Sequence, residues 1–280
     1  MASFDTPEPI SVAADFDAGT LRLVAHDGRA TTTVEVRPAN PAREVDVKAA
    51  EQTTVDFAHG TLTVKCPKQR RSFRRSGVVE VTIDLPAGSR VVGNTSMGDL
   101  IADGTLGDVR FKTSMGDVRV DRTGALHAES SYGAISAEHV AGEAFASTGT
   151  GTVDLAAVDG HAVVKNANGA TRLGHVRGEL RAKASNGEIV VDRADSSVVA
   201  KSSNGDVRIG DVGHGSAVLE TARGDIEIGI RKGTAAWLDV GSHFGTVHNM
   251  LSASDPAANG DATVEVRAGT ALGDITIRRA

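Results

Sequence analysis

Acidic residues recur at intervals of 18 or 19 residues in the second half of the chain, where Glu188, Asp206 and Asp225 each directly follow a glycine. Residues at a fixed spacing can stack on neighbouring strands, so these three carboxylates would form a row on one exposed sheet. Such a row could bind calcium or act as the acid pair that cleaves a polysaccharide. We favour the alternative of an exposed ladder in which acids and arginines on neighbouring strands offset each other's charge.

Other catalytic chemistries find little support in the sequence. None of the nine histidines pairs with a cysteine or a carboxylate at the spacing of a zinc site. No serine lies in the Gly-x-Ser-x-Gly motif of the α/β-hydrolases. Cys66 is the only cysteine, so it cannot form an internal disulfide, and we expect a free, buried thiol. We therefore expect no enzyme activity, no metal site and no cofactor.

The carboxylates belong to a phrase that is repeated along the chain, for example Thr-Ser-Met-Gly-Asp-Val at 113–118 and Ser-Ser-Asn-Gly-Asp-Val at 202–207. A weaker copy lies about midway between successive strong copies. A period that is kept over many copies is typical of a stacked repeat architecture. The glycines of the strong copies are residues 98, 116, 133, 151, 169, 187, 205 and 224.

Each copy predicts one short strand and one corner. The second and fourth residues after each glycine are apolar, as in Val207 and Ile209, which indicates a strand with one buried face. Glycine suits the corner because it reaches a positive φ without a Cβ penalty. We expect the serine two residues before the glycine, such as Ser203, to face inward as well. Two strands and two corners give a coil of about 18 residues.

These features predict an all-β fold, a single-stranded parallel β-helix (a β-solenoid), with the right-handed crossovers that are usual for parallel strands. Residues 1–90 are expected to form a β-rich N-terminal segment, either irregular first coils or a cap, in which 43–49 is a strand. Residues 91–232 are expected to form the regular solenoid, and 233–280 irregular C-terminal coils and a cap. Trp237, the only tryptophan, is predicted to cover the last core layer.

Composition limits the function further. The formal net charge of −6 and the isoelectric point near 5.8 argue against a nucleic-acid-binding protein. The first residues lack the features of a signal peptide, and no apolar stretch reaches the ~18 residues of a membrane span. We therefore expect a cytoplasmic protein, with export by a non-standard route left open.

Two surfaces are candidates for contact with a partner. The first is a basic docking loop for an acidic or phosphate-rich partner, formed by Lys68, Arg70, Arg71, Arg74 and Arg75. A solvated hairpin loop explains it equally simply, and we favour that interpretation. The second candidate is an outward stripe in the weaker copies, formed by Phe145, Val163, Val199 and Val218. A contiguous apolar stripe marks a contact, with the N-terminal segment, a second copy of the chain, or another protein.

The repeated phrase and the ending Val264–Arg279 resemble a bacterial putative-adhesin family of unknown function with Gly-Asp-Ile/Val strand repeats. The resemblance spans about residues 10–280 and implies a parallel β-helix. It supplies no catalytic residues.

The function that we predict is a non-enzymatic scaffold or protein-interaction module, which binds a protein partner or a second copy through an exposed sheet face. One alternative is a surface adhesin or carbohydrate-binding solenoid. The other is a lyase-like or hydrolase-like enzyme that cleaves polysaccharides with the row Glu188, Asp206 and Asp225.

Overall fold

A computed structural model describes residues 1–66, 77–251 and 262–280 of the chain. The chain forms two compact units, Met1–Ala141 and Gly142–Ala280. The predicted domain boundaries at residues 90 and 232 stay a prediction. In the described residues, most strands of the chain are parallel and wind into coils, which confirms the predicted parallel β-helix.

The first unit contains eleven strands and one helix among its described residues: β1 (Ala2–Asp5), β2 (Ser11–His26), β3 (Thr31–Pro38), α1 (Glu44–Gln52), β4 (Thr54–Ala58), β5 (Thr61–Lys65), β6 (Val79–Pro86), β7 (Arg90–Thr105), β8 (Val109–Met115), β9 (Val118–Thr123), β10 (Leu126–Tyr132) and β11 (Ile135–Val140). The long strand β2 pairs in parallel with β7 on one edge and with β5 and β6 on the other. Strands β8 and β9 follow β7, and β10 and β11 follow them, each one coil further on.

An antiparallel layer completes the first unit. Strand β3 pairs antiparallel with β6, β1 with β3, and β4 with β5, and the rings of Phe4 and Phe57 lie 5.4 Å apart. Antiparallel pairs therefore lie beside the parallel pairs of β2 with β5 and β6 in this part of the chain, and the assignment of residues 1–90 as a separate segment stays a prediction.

The prediction of a strand at 43–49 is wrong, because these residues begin the helix α1. Glu44, Ala49 and Ala50 favour helix more than strand, and Glu44 forms an ion pair with Lys48 one turn on. The buried Asp46 fixes the helix against the sheet, since its Oδ1 accepts a hydrogen bond of 3.0 Å from the N–H of Val78.

The second unit contains fourteen strands among its described residues: β12 (Ala144–Thr150), β13 (Val153–Val158), β14 (Ala162–Asn168), β15 (Thr171–Val176), β16 (Leu180–Asn186), β17 (Ile189–Ala194), β18 (Val198–Asn204), β19 (Val207–Val212), β20 (Gly215–Arg223), β21 (Ile226–Ile230), β22 (Ala235–Phe244), β23 (Val247–Asn249), β24 (Thr263–Leu272) and β25 (Ile275–Arg279). Even-numbered strands from β12 to β20 pair in one stack, and odd-numbered strands from β13 to β21 pair in another.

The core of this unit consists of columns of like side chains. Leu155, Leu173, Val191, Ile209 and Ile228 stand directly opposite one another on successive strands, and each is almost completely buried. Each coil therefore buries its apolar residues against the same positions of its neighbours, as a stacked repeat requires.

The strand order changes at the C-terminal end of the second unit. Strands β24 and β25 pair directly with β20 and β21, and β22 and β23 pair with the opposite edges of β24 and β25. The last coil in sequence therefore lies between two coils that precede it in sequence.

The repeated glycine forms the corner between strands, as predicted. In the second unit, φ at Gly169, Gly187, Gly205 and Gly224 lies between +134° and +153°. A Cβ on Gly205 would lie 2.2 Å from the carbonyl oxygen of Gly187 in the previous coil. Both the backbone conformation and the close approach of the two coils exclude a side chain here.

The expected inward position of the serine two residues before the glycine is wrong by one residue. Ser203 is exposed, whereas Ser202 is buried and donates a hydrogen bond of 3.1 Å from its Oγ to the carbonyl oxygen of Gly187. Thr221 makes the same bond to Gly205, and Thr270 makes it to Gly224. The buried hydroxyl at this position thus donates a hydrogen bond to the carbonyl oxygen of the corner glycine in the previous coil. This carbonyl is turned towards the interior by the corner, so the bond supplies it with a partner.

The one helix among the described residues, α1, is short, and no helix in this part of the chain has the length and hydrophobicity needed to cross a membrane.

The corner geometry predicts that Gly205→Ala lowers the free energy of unfolding by more than about 2 kcal/mol, because the substitution combines a strained φ with a backbone clash. Gly269→Ala is the matched control, since a Cβ there would meet nothing within 4 Å. We expect the control to stay within about 0.5 kcal/mol of the wild type in urea unfolding. Equal losses in the two variants would contradict the role of the corner.

Candidate functional site

One sheet of the second unit presents alternate residues of β12, β14, β16, β18, β20, β24 and β22 to solvent, and we call this surface the outer face. Residues on successive strands stand opposite each other across the pairs of this sheet. The outer face therefore consists of columns of side chains, with neighbouring residues of one column separated by about 4.8 Å, the ordinary strand spacing.

The predicted stripe of Phe145, Val163, Val199 and Val218 lies in one of these columns. Phe145 stands opposite Val163, and Val199 opposite Val218. Arg181 occupies the position between the two pairs and divides the stripe into two apolar patches. All four apolar side chains are half-buried by their neighbours and point outward.

A row of lysines runs beside this stripe, two residues further along the strands. Lys165, Lys183 and Lys201 stand opposite one another on β14, β16 and β18. Lys201 pairs with Glu220 at 2.7 Å, and the Nζ of Lys165 lies 5.4 Å from the ring centroid of Phe145. Lys183 has no ion pair among the described residues. Sequence analysis missed this row, although the lysines recur every 18 residues.

A shallow depression of about 650 Å³ continues the lysine row towards the C-terminal end of the outer face. Gly269 and Gly241 stand opposite each other in its floor, and a Cβ on either would meet no atom within 4 Å. Lys183, Lys201 and His243 are among the residues that line it. The glycines leave this part of the face open, with positive charge along one side.

The carboxylate row lies at the corners between strands, where it supports the backbone. The Oδ1 of Asp206 accepts a hydrogen bond of 3.0 Å from the N–H of Asp225, and the Oδ1 of Asp225 accepts one of 2.8 Å from Asp274. Arg208 pairs with Asp206 at 2.9 Å, and Arg172 pairs with Glu188 at 3.0 Å. The acids are thus engaged by backbone N–H groups of the next coil and by arginines.

The same corner bond recurs with other side chains in the weaker copies. The Nδ1 of His161 accepts a hydrogen bond of 3.0 Å from the N–H of Glu179, and the Oγ of Ser197 accepts one of 3.2 Å from Ser216. At several corners, the residue after the glycine or its counterpart therefore accepts a hydrogen bond from the next coil.

Trp237 does not cover the core, and that prediction is wrong. Its side chain is 58% exposed and points outward from β22, opposite Glu265 on β24. The register explains the difference, because the inward positions of β22 are the neighbouring residues Leu238 and Val240. Trp237 instead lines a depression of about 740 Å³ together with Glu265 and Arg267, which form an ion pair at 2.6 Å.

A charged cluster lies at a corner of the second unit and contains Asp195, His175, Arg193, Arg231 and Asp211. Asp195 accepts hydrogen bonds from His175 at 2.6 Å, from Arg231 at 2.8 Å and from Arg193 at 3.1 Å. Burial raises the pKa of the Asp195 carboxyl, but these three bonds outweigh burial and hold the pKa well below its usual range. The hydrogen bond to Asp211 raises the pKa of Arg231.

Gly213 makes this cluster possible. A Cβ at Gly213 would lie 2.4 Å from the Nη1 of Arg231, so the guanidinium occupies the space that a side chain would fill. Arg231 can therefore reach Asp195, which lies two coils earlier in the stack. The cluster ties together three successive corners, which indicates a structural role.

The remaining candidates add no site. The thiol of Cys66 is half-buried, and burial raises its pKa, which disfavours the reactive thiolate. Lys68, Arg70, Arg71, Arg74 and Arg75 of the predicted basic loop lie outside the described residues. In the part of the chain that the structure describes, no three histidines, cysteines or carboxylates come together as ligands for a metal.

The stacked coils and the columns of the outer face define a β-solenoid protein of the parallel β-helix class. The model of the Toastrack DUF4097 family matches residues 28–278. The chain belongs to this family, in agreement with the resemblance seen in the sequence. No curated protein matches the chain significantly.

Several solved structures are similar to this chain at low sequence identity. A putative adhesin from Bacteroides fragilis is 13% identical, covers 99% of this chain and 95% of its own, and has a TM-score of 0.42. A putative adhesin from Parabacteroides merdae is 12% identical, with coverages of 100% and 95% and a TM-score of 0.46. A putative lipid binding protein from Parabacteroides distasonis is 10% identical, with coverages of 100% and 95% and a TM-score of 0.29. These values support no inference about function.

The charged cluster predicts an acid-dependent loss of stability. Because the pKa of Asp195 is lower in the folded chain than its unfolded value of about 4, its ionised form stabilises the fold above about pH 4, and this contribution is lost as the pH falls towards the folded value. We expect the difference in free energy of unfolding between the wild type and Asp195→Asn to shrink as the pH falls below about 4.

Urea unfolding at a series of pH values measures this difference. Asp154→Asn is the control, because Asp154 is exposed and has no ion pair among the described residues. A gap between wild type and Asp195→Asn that persists unchanged to low pH would contradict the assignment.

Proposed function

We propose that the chain is a non-enzymatic interaction module whose outer face binds an acidic, amphipathic segment of a protein partner. The observation that carries this proposal is the lysine row Lys165, Lys183 and Lys201, in register beside the apolar stripe. We place the protein in the cytoplasm, where the single thiol of Cys66 would stay reduced.

Electrostatics supports an acidic partner. Like charges that stand directly opposite each other on neighbouring strands destabilise a sheet. The three lysines of the row repel one another across three neighbouring strands. Of these lysines, only Lys201 has an acidic partner among the described residues. A partner carboxylate placed over Lys183 would relieve the repulsion and form a new ion pair.

The spacing of the two columns supports an amphipathic helix. Val163 and Lys165, like Val199 and Lys201, lie two residues apart on one strand, so the apolar and basic columns run side by side about 6.6 Å apart. Side chains three and four residues apart on a helix lie about 5–6 Å apart, close to the ~4.8 Å step of each column. A helix across the strands can therefore set acidic residues over the lysines and apolar residues over the stripe.

The corner bonds support a non-enzymatic role. Asp206 and Asp225 already accept backbone N–H groups, and Asp206 and Glu188 pair with arginines. An acid pair for glycan cleavage needs one carboxyl that is free to donate a proton and one that is free to attack or activate water. The row serves the stacking of coils instead.

A fluorescently labelled helical peptide with glutamates on one side and leucines beside them tests the proposal. We expect it to bind the full-length protein more tightly than a scrambled peptide of equal composition, and to bind less tightly at high salt. The double variant Lys165→Glu/Lys183→Glu should weaken binding about tenfold or more, because the ion pairs become repulsive. Fluorescence anisotropy gives the dissociation constants.

Val163→Asp should weaken binding in the same assay by removing apolar contact and adding repulsion. Arg119→Glu is the matched control, since Arg119 is an exposed basic residue of the first unit. Equal binding of the ordered and scrambled peptides, or equal losses in the control and the double variant, would refute the proposal.

One observation favours carbohydrate binding as a second candidate function. Trp237 is exposed beside a depression that also presents Glu265, Arg267 and Thr263. An exposed aromatic face with polar groups around it is a platform on which a sugar ring can stack while its hydroxyls form hydrogen bonds.

Because Trp237 is the only tryptophan, its fluorescence reports this depression alone. Titration with neutral and acidic oligosaccharides should shift or quench the emission in a saturable way if the site binds sugars. Arg267→Ala should weaken the response, and Arg119→Ala should leave it unchanged. A fluorescence signal that no oligosaccharide alters would eliminate this candidate.

A further inference from the structure

In the part of the chain that the structure describes, the end strand β22 has one edge without a neighbouring strand. Among the described residues it pairs with β24 alone. The N–H of Ala235 donates to the carbonyl of Ala262 on the β24 side. Because successive residues of a strand direct their backbone groups to opposite sides, Ala236, Leu238, Val240 and Ser242 direct theirs away from β24. A row of unpaired donors and acceptors on a ten-residue strand is a template for another strand.

Several apolar side chains of β22 and of the residues that follow it are exposed. Phe244 is 76% exposed, Met250 65% and Trp237 58%, and Val247 is also exposed. Leu238 and Val240 point towards the interior but stay partly exposed, since no further coil covers them among the described residues. An exposed apolar surface beside an open strand edge marks an interaction site.

The first unit protects its outer edges differently. The outer edge of β6 is paired with β3, and the outermost strands there, β1 and β4, have only four and five residues. Short edge strands are one of the means by which proteins prevent edge-to-edge pairing. The long apolar edge of β22 is therefore better suited to an identical edge than to the edges of the first unit.

The sequence of β22 is complementary to itself in an antiparallel pairing. When Gly241 stands opposite Gly241 of a second copy, Asp239 stands opposite the second copy's His243, and Leu238 opposite its Phe244. This register sets an acid against a histidine and joins apolar residues. Val240 and Ser242, which direct their N–H groups to the free edge, then form the hydrogen-bonded pairs.

We propose that β22 is a dimerisation strand, through which two copies of this chain join edge to edge in an isologous, antiparallel pair. A two-fold arrangement closes on itself and uses both open edges at once, so it yields a dimer and no larger polymer. The interface contains none of the three lysines of the lysine row, although its residues Gly241 and His243 also line the depression beside that row. The proposal does not depend on the binding of an acidic partner.

Sedimentation velocity of the full-length protein over a wide range of concentrations tests the proposal. The wild type should reach twice the mass of one 28.8 kDa chain. Val240→Pro should sediment as a single chain, because proline removes a donor from the free edge and leaves the bonds to β24 intact. Its circular dichroism should match that of the wild type, and it should still bind the acidic peptide.

Phe244→Lys provides a second route, which keeps the test decisive if the proline variant fails to fold. It should also weaken the dimer, whereas Tyr132→Lys, at a 60% exposed aromatic residue of the first unit, should leave the dimer unchanged. A wild type that stays a single chain at every concentration would overturn the proposal. A dimer that both variants leave intact, or a series of larger oligomers, would also overturn the proposal. Dimers that form only after deletion of residues 252–261 would overturn it as well, because they would identify that segment as the occupant of the edge.

Discussion

The close approach of corner glycines on successive coils is the constraint on which the structure depends. A Cβ at Gly187 would lie 2.0 Å from the carbonyl oxygen of Gly169, and one at Gly224 would lie 2.4 Å from that of Gly205. Because the coils are so close at this edge, the register between neighbouring strands is fixed. Equivalent residues of successive coils therefore stand opposite one another in columns. The inward hydroxyl of Thr221 and the carboxylate of Asp206 then satisfy backbone groups that the corner leaves without a partner in the strands.

The 18-residue period is sufficient to predict the coil, the corner and the alignment of outward residues, because a stacked repeat places equivalent residues opposite each other. The period alone does not define the inward residue before the corner. The alternation along β18 defines it, since Val198, Ala200 and Ser202 are buried and Ser203 is exposed. The period also does not predict which strand pairs with β20 at the C-terminal end. Strands β22 and β24 have the same alternation of apolar and polar residues, so the sequence is compatible with either strand beside β20. The helix at 44–52 lies outside the repeat, where short-range preferences decide.

Charges in the second unit are arranged in two contrasting ways. Around Asp195, acids and bases alternate along the corner, and each has a partner of opposite sign within hydrogen-bonding distance. On the outer face, Lys165 and Lys183 instead stand beside each other in a row of equal sign. The first arrangement stabilises the folded chain by itself, whereas under the proposed function the second would be stabilised by the acidic groups of a partner. This contrast, rather than the carboxylate row in the sequence, directs the search for function to the lysines.

The position of β24 and β25 has a consequence for the order in which the chain folds. A chain that wound one coil after another from the N-terminus would lay 235–249 directly on β20 and β21, yet in the folded chain that place belongs to the final residues, 263–279. Winding therefore cannot finish until residues 263–279 are available. The hydrogen bond from Thr270 to Gly224 closes a separation of 46 residues, whereas the same bond spans 15 or 16 residues in ordinary coils. Completion of this end is a late, long-range event, slower than the local steps that precede it.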